Sequence, residues 1–258
     1  METGQVISTI QNGIATIEFY HPQSNSLPGA VLRKLAEEIT QLGKNPEVKV
    51  MVLTSKGEKA FCAGASFDEL ISIQDKDTGK TFFSGFALVI NAMRKAPQFI
   101  LARCQGKVVG GGLGLASAAD YAFATEAAQV KLSELALGIG PFVVGPAVER
   151  KVGTAAYSQL TINCTQWQSA QWAREKGLFS EVFATTVEMD KAIEVLANNL
   201  TNSSPEAMRL LKEIMWKGTE NWDELLPERA AISGHLVLSD FTRKAIEKFK
   251  AATSKPSR

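Results

Sequence analysis

Two glycine-rich segments are the parts of this sequence whose residue types and spacing suggest chemistry. The first is AFCAGASFD, residues 60–68, and the second is GKVVGGGLGLA, residues 106–116. Each is predicted to lead from a strand or turn into a helix. A helix amino terminus presents backbone N–H groups without partners in the helix and carries a partial positive charge. Either segment could therefore hold an anion, and the two facing each other could hold an oxyanion.

Neither segment is a nucleotide-binding motif. The second lacks the Lys-Ser/Thr ending of a phosphate loop, and residues 110–114 do not match G-x-G-x-x-G near the first strand. The alternative interpretation is that these glycines only allow tight turns and close packing of helices.

The elements that must position the two segments follow from hydrophobic patterns. The segments VISTIQ and IATIEFY flank Asn12-Gly13 and predict a β-hairpin. Apolar residues at steps of three and four predict a helix over 29–42. Further strands are predicted over 48–54, 99–103 and 121–124. Strands that alternate with helices in this way predict an α/β fold.

The carboxyl-terminal part differs, because its patterns predict helices only. These helices are expected over 189–200, 204–217, 221–238 and 240–252, with Ser204 and Pro205 as N-cap and first helical residue. We therefore predict a core over residues 1–190 that holds the site and a helical region over 191–258 that serves oligomerisation. Four tryptophans are predicted to lie in helices and to pack in the core or an interface: Trp167, Trp172, Trp216 and Trp222.

Composition excludes several classes of function. The chain has 258 residues with 28 basic and 27 acidic side chains, and a net charge of +1 argues against a nucleic-acid partner. No apolar stretch approaches the ~20 residues of a membrane helix, and the amino terminus does not look like a secretory signal, so a cytoplasmic protein is expected. The three cysteines form no cluster, which predicts neither disulfides nor a metal site.

Three segments together resemble the crotonase superfamily, also called the enoyl-CoA hydratase/isomerase family. They are HPQSNSL (21–27), AFCAGASFDEL (60–70) and GKVVGGGLGLASAADYAFATEAAQVKLSELALGIGP (106–141). The resemblance is strongest from Ile10 to about Lys151 and weaker towards the carboxyl end. It implies a crotonase (ClpP-like) spiral of ββα units with a C-terminal helical trimerisation region. It also implies an acyl-CoA substrate, no cofactor beyond that coenzyme A, and a homotrimer or hexamer.

The resemblance also implies roles for individual residues. The N–H groups of Ala65 and Gly111 would bind the thioester carbonyl and stabilise the enolate that forms from it, which favours the transition state over the substrate. Basic residues near the carboxyl end, Lys248 or Lys250, would meet phosphates of coenzyme A. The implied substrate-binding residues are Asn25, Ser26, Leu27, Ala63, Ser66, Gly110, Gly114 and Phe142.

The sequence departs from the hydratase pattern at one of its two carboxylates. Hydratases of the family carry a Glu where this chain has Gly114, and a second Glu at the position of Glu134. A single carboxylate suffices for a different reaction, in which Glu134 takes a proton from C2 of a 3-enoyl-CoA and returns it at C4. Apolar neighbours would raise its pKa; the candidates are Leu132, Leu135, Leu137 and Ile139. The alternative for Glu134 is a carboxylate at a helix start, with Ser133 suited to capping.

Isomerisation is therefore the favoured reaction, and three alternatives stay open. They are hydration of an enoyl-CoA or methylglutaconyl-CoA, decarboxylation of an acyl-CoA, and a non-catalytic acyl-CoA-binding or scaffold protein. The helix around Phe82, Phe83 and Phe86 would cover the acyl pocket, and Phe142 and Val143 would narrow its end.

Overall fold

The computed structural model describes residues 4–253, with side chains for residues 4–248. The strands are β1 (Gln5–Gln11), β2 (Ile14–Tyr20), β3 (Ser26–Leu27), β4 (Val50–Ser55), β5 (Ala60–Cys62), β6 (Gly64–Ala65), β7 (Phe99–Cys104), β8 (Lys107–Val109), β9 (Tyr121–Thr125), β10 (Gln129–Lys131), β11 (Gln168–Ser169) and β12 (Glu181–Phe183). The helices are α1 (Gly29–Lys44), α2 (Phe67–Ser72), α3 (Lys76–Lys95), α4 (Gly111–Ala118), α5 (Gly145–Ile162), α6 (Ala170–Glu175), α7 (Thr186–Thr201), α8 (Pro205–Met215), α9 (Trp222–Leu236) and α10 (Asp240–Thr253), and Glu134–Leu137 form a 3₁₀ turn.

The described strands form three sheets, which position the two glycine-rich segments. The largest has the strand order β1-β2-β4-β7-β9-β12 and is parallel except for the β1–β2 hairpin. A second sheet has the order β11-β10-β8-β5, and β3 pairs with β6. The two glycine-rich segments contain strands of the second sheet, β5 and β8, which pair in parallel, and Gly64 and Gly110 follow these strands. The same edge of that sheet therefore presents both segments.

Local sequence explains several of these elements. Asn12 and Gly13 have φ values of 52° and 80°, the left-handed conformations that a two-residue hairpin turn requires. Helix α1 buries the predicted apolar stripe and ends at Lys44 because Asn45 precedes a proline and is extended. Helix α7 begins three residues before its predicted start, since Thr185 and Glu188 form a capping box.

The large sheet is covered on both faces. In β4, Met51 and Leu53 pack into the main core with α1 and α3. Val50 and Val52 face the other way and pack against residues of α7. This explains why the whole of β4 is buried and reads as a continuous apolar run.

The carboxyl-terminal helices are present as predicted, and one of them shares the main core. Trp222, Leu226 and Ala230 of α9 belong to the same apolar cluster as the strands. Helices α3 and α9 approach so closely that a Cβ atom at Gly79 would lie 2.8 Å from Gly234 Cα. The boundary at residue 190 stays a prediction, but this helix packs on the core rather than apart from it.

The prediction that Trp167 lies in a helix was wrong. This residue lies outside any helix, because the next two residues pair as β11 with β10. Its side chain is not part of the core, since the residue is 36% exposed.

A buried ion pair connects the carboxyl-terminal helices to the sheet. Lys212 Nζ of α8 lies 2.9 Å from Asp120 Oδ2 and donates to the carbonyl of Gln98 at 2.7 Å. Asp120 also accepts from Ile100 N at 2.8 Å and from Trp216 Nε1 at 3.0 Å. The side chains of both charged residues are at most 6% exposed, so each ion depends on these partners.

Among the described residues, no helix combines the length and the apolar character needed to cross a membrane.

Candidate active site

One large cavity, of about 1160 Å³, contains the three residues predicted to be catalytic. Ala65, Gly111 and Glu134 all line it. Its walls come from both glycine-rich segments, α3, the 3₁₀ turn and the loop over residues 140–144. The tertiary structure therefore brings together groups that are far apart in the sequence.

The backbone of Ala65 is fixed by its neighbours. Ser66 N donates to Leu27 O at 2.9 Å, and Ser26 Oγ donates to Ala65 O at 2.8 Å. Because successive peptide groups of an extended strand point in opposite directions, the N–H of Ala65 points away from β3.

The second N–H group comes from the start of α4. Gly111 is the first residue of this helix, so its N–H has no acceptor within the helix. The two segments touch, since a Cβ atom at Gly64 would lie 3.6 Å from Gly111 N. Two donors and a helix amino terminus thus meet in the cavity, an arrangement suited to an oxyanion.

Gly110 connects the second donor to the carboxylate. Its φ of 54° and ψ of −119° are accessible only to glycine without strain. A Cβ atom there would lie 3.0 Å from Glu134 Oε1, so the carboxylate packs directly on this backbone. Gly110 N donates to Lys131 O at 2.9 Å, which fixes the distance between β10 and the start of α4.

Glu134 begins the 3₁₀ turn, and its carboxylate is held away from water. Burial raises its pKa to about 7, although the N–H groups of Glu134 and Ser133 act in the opposite direction. Within the described residues, Oε2 is buried and has no hydrogen-bond partner. A buried and unpaired carboxylate oxygen with a pKa near neutrality is what a general base needs.

The surroundings of Glu134 differ in part from those predicted. Leu132 and Ile139 are buried, and Leu137 lines the cavity. Leu135 was wrongly included, because the 3₁₀ turn points it to solvent and it is 47% exposed. The side chain of Ser133 makes no capping hydrogen bond. The alternative interpretation of Glu134, a carboxylate at the start of a helix capped by Ser133, therefore loses its support.

Position 114 has no room for a side chain. A Cβ atom at Gly114 would lie 2.5 Å from Val144 Cγ1 and 3.5 Å from Ile90 Cδ1. Val144 comes from the loop that follows the 3₁₀ turn, and it lines the cavity. The place of a second carboxylate is therefore filled by apolar atoms.

Half of the predicted substrate-binding residues line the cavity. Those that do are Ser26, Ala63, Gly110 and Phe142. The cavity wall does not include Asn25, Leu27, Ser66 or Gly114, and a role of these four in substrate binding stays a prediction. Leu27 is fully buried, and Ser66 caps α2 by accepting from Glu69 N at 3.3 Å.

Asn25 holds the turn rather than facing the cavity. Its side chain accepts from His21 N at 2.9 Å and donates to the carbonyls of Lys56 and Ala60 at 3.0 and 3.1 Å. Its φ of 56° is left-handed, a conformation that asparagine tolerates.

Part of the cavity wall is aromatic and apolar. The rings of Phe82 and Phe83 in α3 meet edge to face, with their centroids 5.0 Å apart. The ring of Phe86 packs on Gly111. Phe142 and Val143 line the cavity as well, as predicted for residues that shape the acyl end.

Sequence reasoning missed several cavity residues, among them Lys107, Lys131 and Trp167. The strands that present them have two or three residues, too few to show a periodic pattern. Lys248 does not line the cavity, and the side chain of Lys250 lies outside the described residues. In the described part of the chain, no group of three or more His, Cys, Asp or Glu side chains is placed to hold a metal ion.

Comparison with known proteins identifies the family of this chain. Residues 9–251 match the family described as enoyl-CoA hydratase/isomerase. YngF of Bacillus subtilis, whose name assigns it to the enoyl-CoA hydratases/isomerases, is 34% identical over 220 residues, 83% of each chain. The carnitinyl-CoA dehydratase of Proteus mirabilis is 28% identical over 209 residues, 80% of this chain and 78% of the relative.

The fold is shared as well. The crystal structure of an enoyl-CoA hydratase from Bacillus halodurans superposes with a TM-score of 0.87 over 94% of this chain and 99% of the other, at 20% identity. This confirms the crotonase fold. With the family match covering nearly the whole sequence, the chain belongs to the enoyl-CoA hydratase/isomerase family of enzymes, the crotonase superfamily.

Proposed function

We propose that this enzyme moves the double bond of a 3-enoyl-CoA to the 2 position. The observation that carries the proposal is that the cavity pairs two backbone donors with one buried carboxylate, while Val144 fills the space beside Gly114. One carboxylate and an oxyanion site suffice for a proton transfer that begins and ends on the substrate.

The proposed reaction is balanced in atoms and charge. Glu134 takes a proton from C2, and the electron pair of that bond moves towards the thioester carbonyl to give a dienolate. The N–H groups of Ala65 and Gly111 bind the dienolate oxygen, which carries more negative charge than the carbonyl. Glu134 then returns the proton at C4, and the double bond is left between C2 and C3. No cofactor takes part beyond the coenzyme A of the substrate.

Hydration needs a second group to hold and activate water, and position 114 cannot supply one. We expect Gly114→Glu alone to add no hydratase activity and to destabilise the fold by about 1–3 kcal/mol, because the new side chain collides with Val144. Adding Val144→Gly should recover stability and introduce hydration of a 2-enoyl-CoA.

The measurement is loss of the absorbance of the conjugated thioester, together with thermal unfolding. Val144→Gly alone is the matched control, because it opens the space without a carboxylate. A stable Gly114→Glu single variant that hydrates 2-enoyl-CoA would contradict this account of position 114.

A substrate panel tests the proposal as a whole. Purified protein is supplied with 3-enoyl-CoA, 2-enoyl-CoA, 3-methylglutaconyl-CoA and a malonyl-type acyl-CoA. We expect fast appearance of the conjugated thioester from 3-enoyl-CoA and slower turnover of the others. If the enzyme hydrates either 2-enoyl substrate faster than it isomerises 3-enoyl-CoA, its main activity is hydration. If it releases carbon dioxide faster than it isomerises, its main activity is decarboxylation. Failure of every acyl-CoA to bind would overturn the proposal of an acyl-CoA enzyme.

We also propose a cytoplasmic homotrimer or hexamer assembled through the carboxyl-terminal region. Helices α7 and α8 expose apolar side chains that no described residue covers: Val187, Val195, Leu210, Leu211, Ile214 and Met215. Light scattering after gel filtration should give three or six times the 27.9 kDa of the chain, and a monomeric mass would contradict the proposal.

A further inference from the structure

Two lysines share one tryptophan ring in the wall of the catalytic cavity. Lys131 Nζ lies 4.3 Å from the centroid of the Trp167 ring, and Lys107 Nζ lies 5.1 Å from it. All three residues line the cavity that contains Glu134. We call Lys107, Lys131 and Trp167 the cationic cluster.

Strand register places these residues side by side. Strands β8 and β10 are parallel, with Lys131 opposite Val109. Lys107 lies two residues before Val109, so it faces the same side of the sheet, which is the cavity side. Strand β11 is antiparallel to β10 with Gln168 opposite Val130, which brings Trp167 next to Lys131. Two strands and the residue that precedes a third therefore build the cluster.

The charges of the cluster have no counter-ion among the side chains that the structure describes. In residues 4–248, neither ammonium group forms an ion pair with a carboxylate. Besides Glu134, the described carboxylates that line the cavity are Glu58 and Asp68, and Asp68 accepts from Gln23 at 2.9 Å. Burial lowers the pKa of Lys131, the charge of Lys107 lowers it further, and Cys164 acts in the opposite direction.

Two neighbouring cations without a counter-ion repel each other, and a bound anion would relieve this repulsion. The tryptophan ring holds both ammonium groups by cation–π contacts, so they are in place before a ligand arrives. Lys131 precedes Glu134 by three residues, which limits the separation of their Cα atoms to about 11 Å. An anionic group on the substrate of Glu134 can therefore reach the cluster.

We propose that the cationic cluster is a subsite for an anionic group of the acyl-CoA, a carboxylate on the acyl chain or a phosphate of coenzyme A. This inference rests on the proposed function, because it takes an acyl-CoA as the ligand. It adds a charged determinant of specificity to a cavity that Phe82, Phe83, Phe86 and Phe142 also line.

Binding of three unreactive thioesters tests the inference by titration calorimetry. Glutaryl-CoA carries both a carboxylate and phosphates, butanoyl-CoA carries phosphates only, and butanoyl-pantetheine carries neither. The variants are Lys131→Met and Lys107→Met. Lys34→Met on the exposed face of α1 is the control with the same change of charge.

We expect Lys131→Met to raise the Kd by at least tenfold for glutaryl-CoA, with a smaller effect in Lys107→Met and none in Lys34→Met. A rise for glutaryl-CoA alone identifies a carboxylate, and an equal rise for butanoyl-CoA identifies a phosphate. In either case Lys131→Arg should restore most of the affinity, since it keeps the charge.

Two results would overturn the inference. One is an unchanged Kd for both CoA thioesters in both lysine variants. The other is an equal loss of affinity for butanoyl-pantetheine, which would assign the lysines a structural role. If the wild type binds and isomerises acyl-CoA but the variants bind equally well, only this inference fails. If the wild type binds no CoA thioester, the proposed function fails with it.

Discussion

Glu134→Gln is expected to lower the kcat of isomerisation by about 10²–10⁴-fold, because the amide cannot accept the proton from C2. The substitution keeps the size of the side chain, and the two backbone donors are untouched. The Kd for a saturated acyl-CoA should therefore stay within a few-fold of wild type. Single-turnover kinetics measure the first quantity and calorimetry the second. Turnover at the wild-type rate would show that Glu134 is not the base.

The pH dependence of the wild type follows from the same residue. Burial raises the pKa of Glu134 to about 7, and the base acts only when it is ionised. We expect kcat/KM to rise with pH up to about 7 and then to level off. The residual activity of Glu134→Gln should lack this step, and a profile that keeps it would assign the titration to another group.

The free energy of unfolding shows whether Glu134→Gln still folds. A carboxyl whose pKa is higher in the folded state than in the unfolded state stabilises the protein below the unfolded pKa, and this contribution is lost as pH rises through the folded pKa. The free energy of unfolding of the wild type should therefore decrease from about pH 4.5 to pH 7 on account of Glu134. Glu134→Gln lacks this loss and should be at least as stable as the wild type at pH 8.

Lys212→Met is expected to reduce the free energy of unfolding by about 3–5 kcal/mol, the largest effect on stability that we predict. Methionine fills a similar volume but leaves the buried carboxylate of Asp120 without its counter-ion. The N–H groups of Ile100 and Trp216 still reach that carboxylate, so the lower end of the range is expected. For a chain of this size, a loss of about 3 kcal/mol lowers Tm by about 6–12 °C.

The matched control lies on the same helix. Arg209 and Glu213 form an exposed ion pair one turn apart, with side chains 42% and 58% exposed. Arg209→Met should cost less than about 0.5 kcal/mol, since exposed pairs contribute little. If Lys212→Met and Arg209→Met lowered the free energy of unfolding equally, burial of the Lys212–Asp120 pair would not explain the loss of stability. Denaturant unfolding monitored by circular dichroism measures both.

The sequence predicted those parts of the fold that depend on neighbours along the chain. The hairpin at Asn12-Gly13, the stripe of α1 and the start of α8 at Ser204-Pro205 each follow from residues within one turn or one strand. The candidate donors Ala65 and Gly111 and the candidate base Glu134 were predicted from the motifs of the family. The structure places all three in one cavity.

What the sequence determined by itself is local. Helix and strand periods, capping residues and glycine positions express steric and hydrogen-bonding preferences that extend over a few residues. The tertiary structure alone decided which distant side chains share a space. It filled the position beside Gly114 with Val144, turned Leu135 to solvent, and set the ammonium groups of Lys107 and Lys131 against the ring of Trp167. The physical reason is that close packing and electrostatic contacts depend on distance in space, and strands of two or three residues carry too little pattern to reveal their partners.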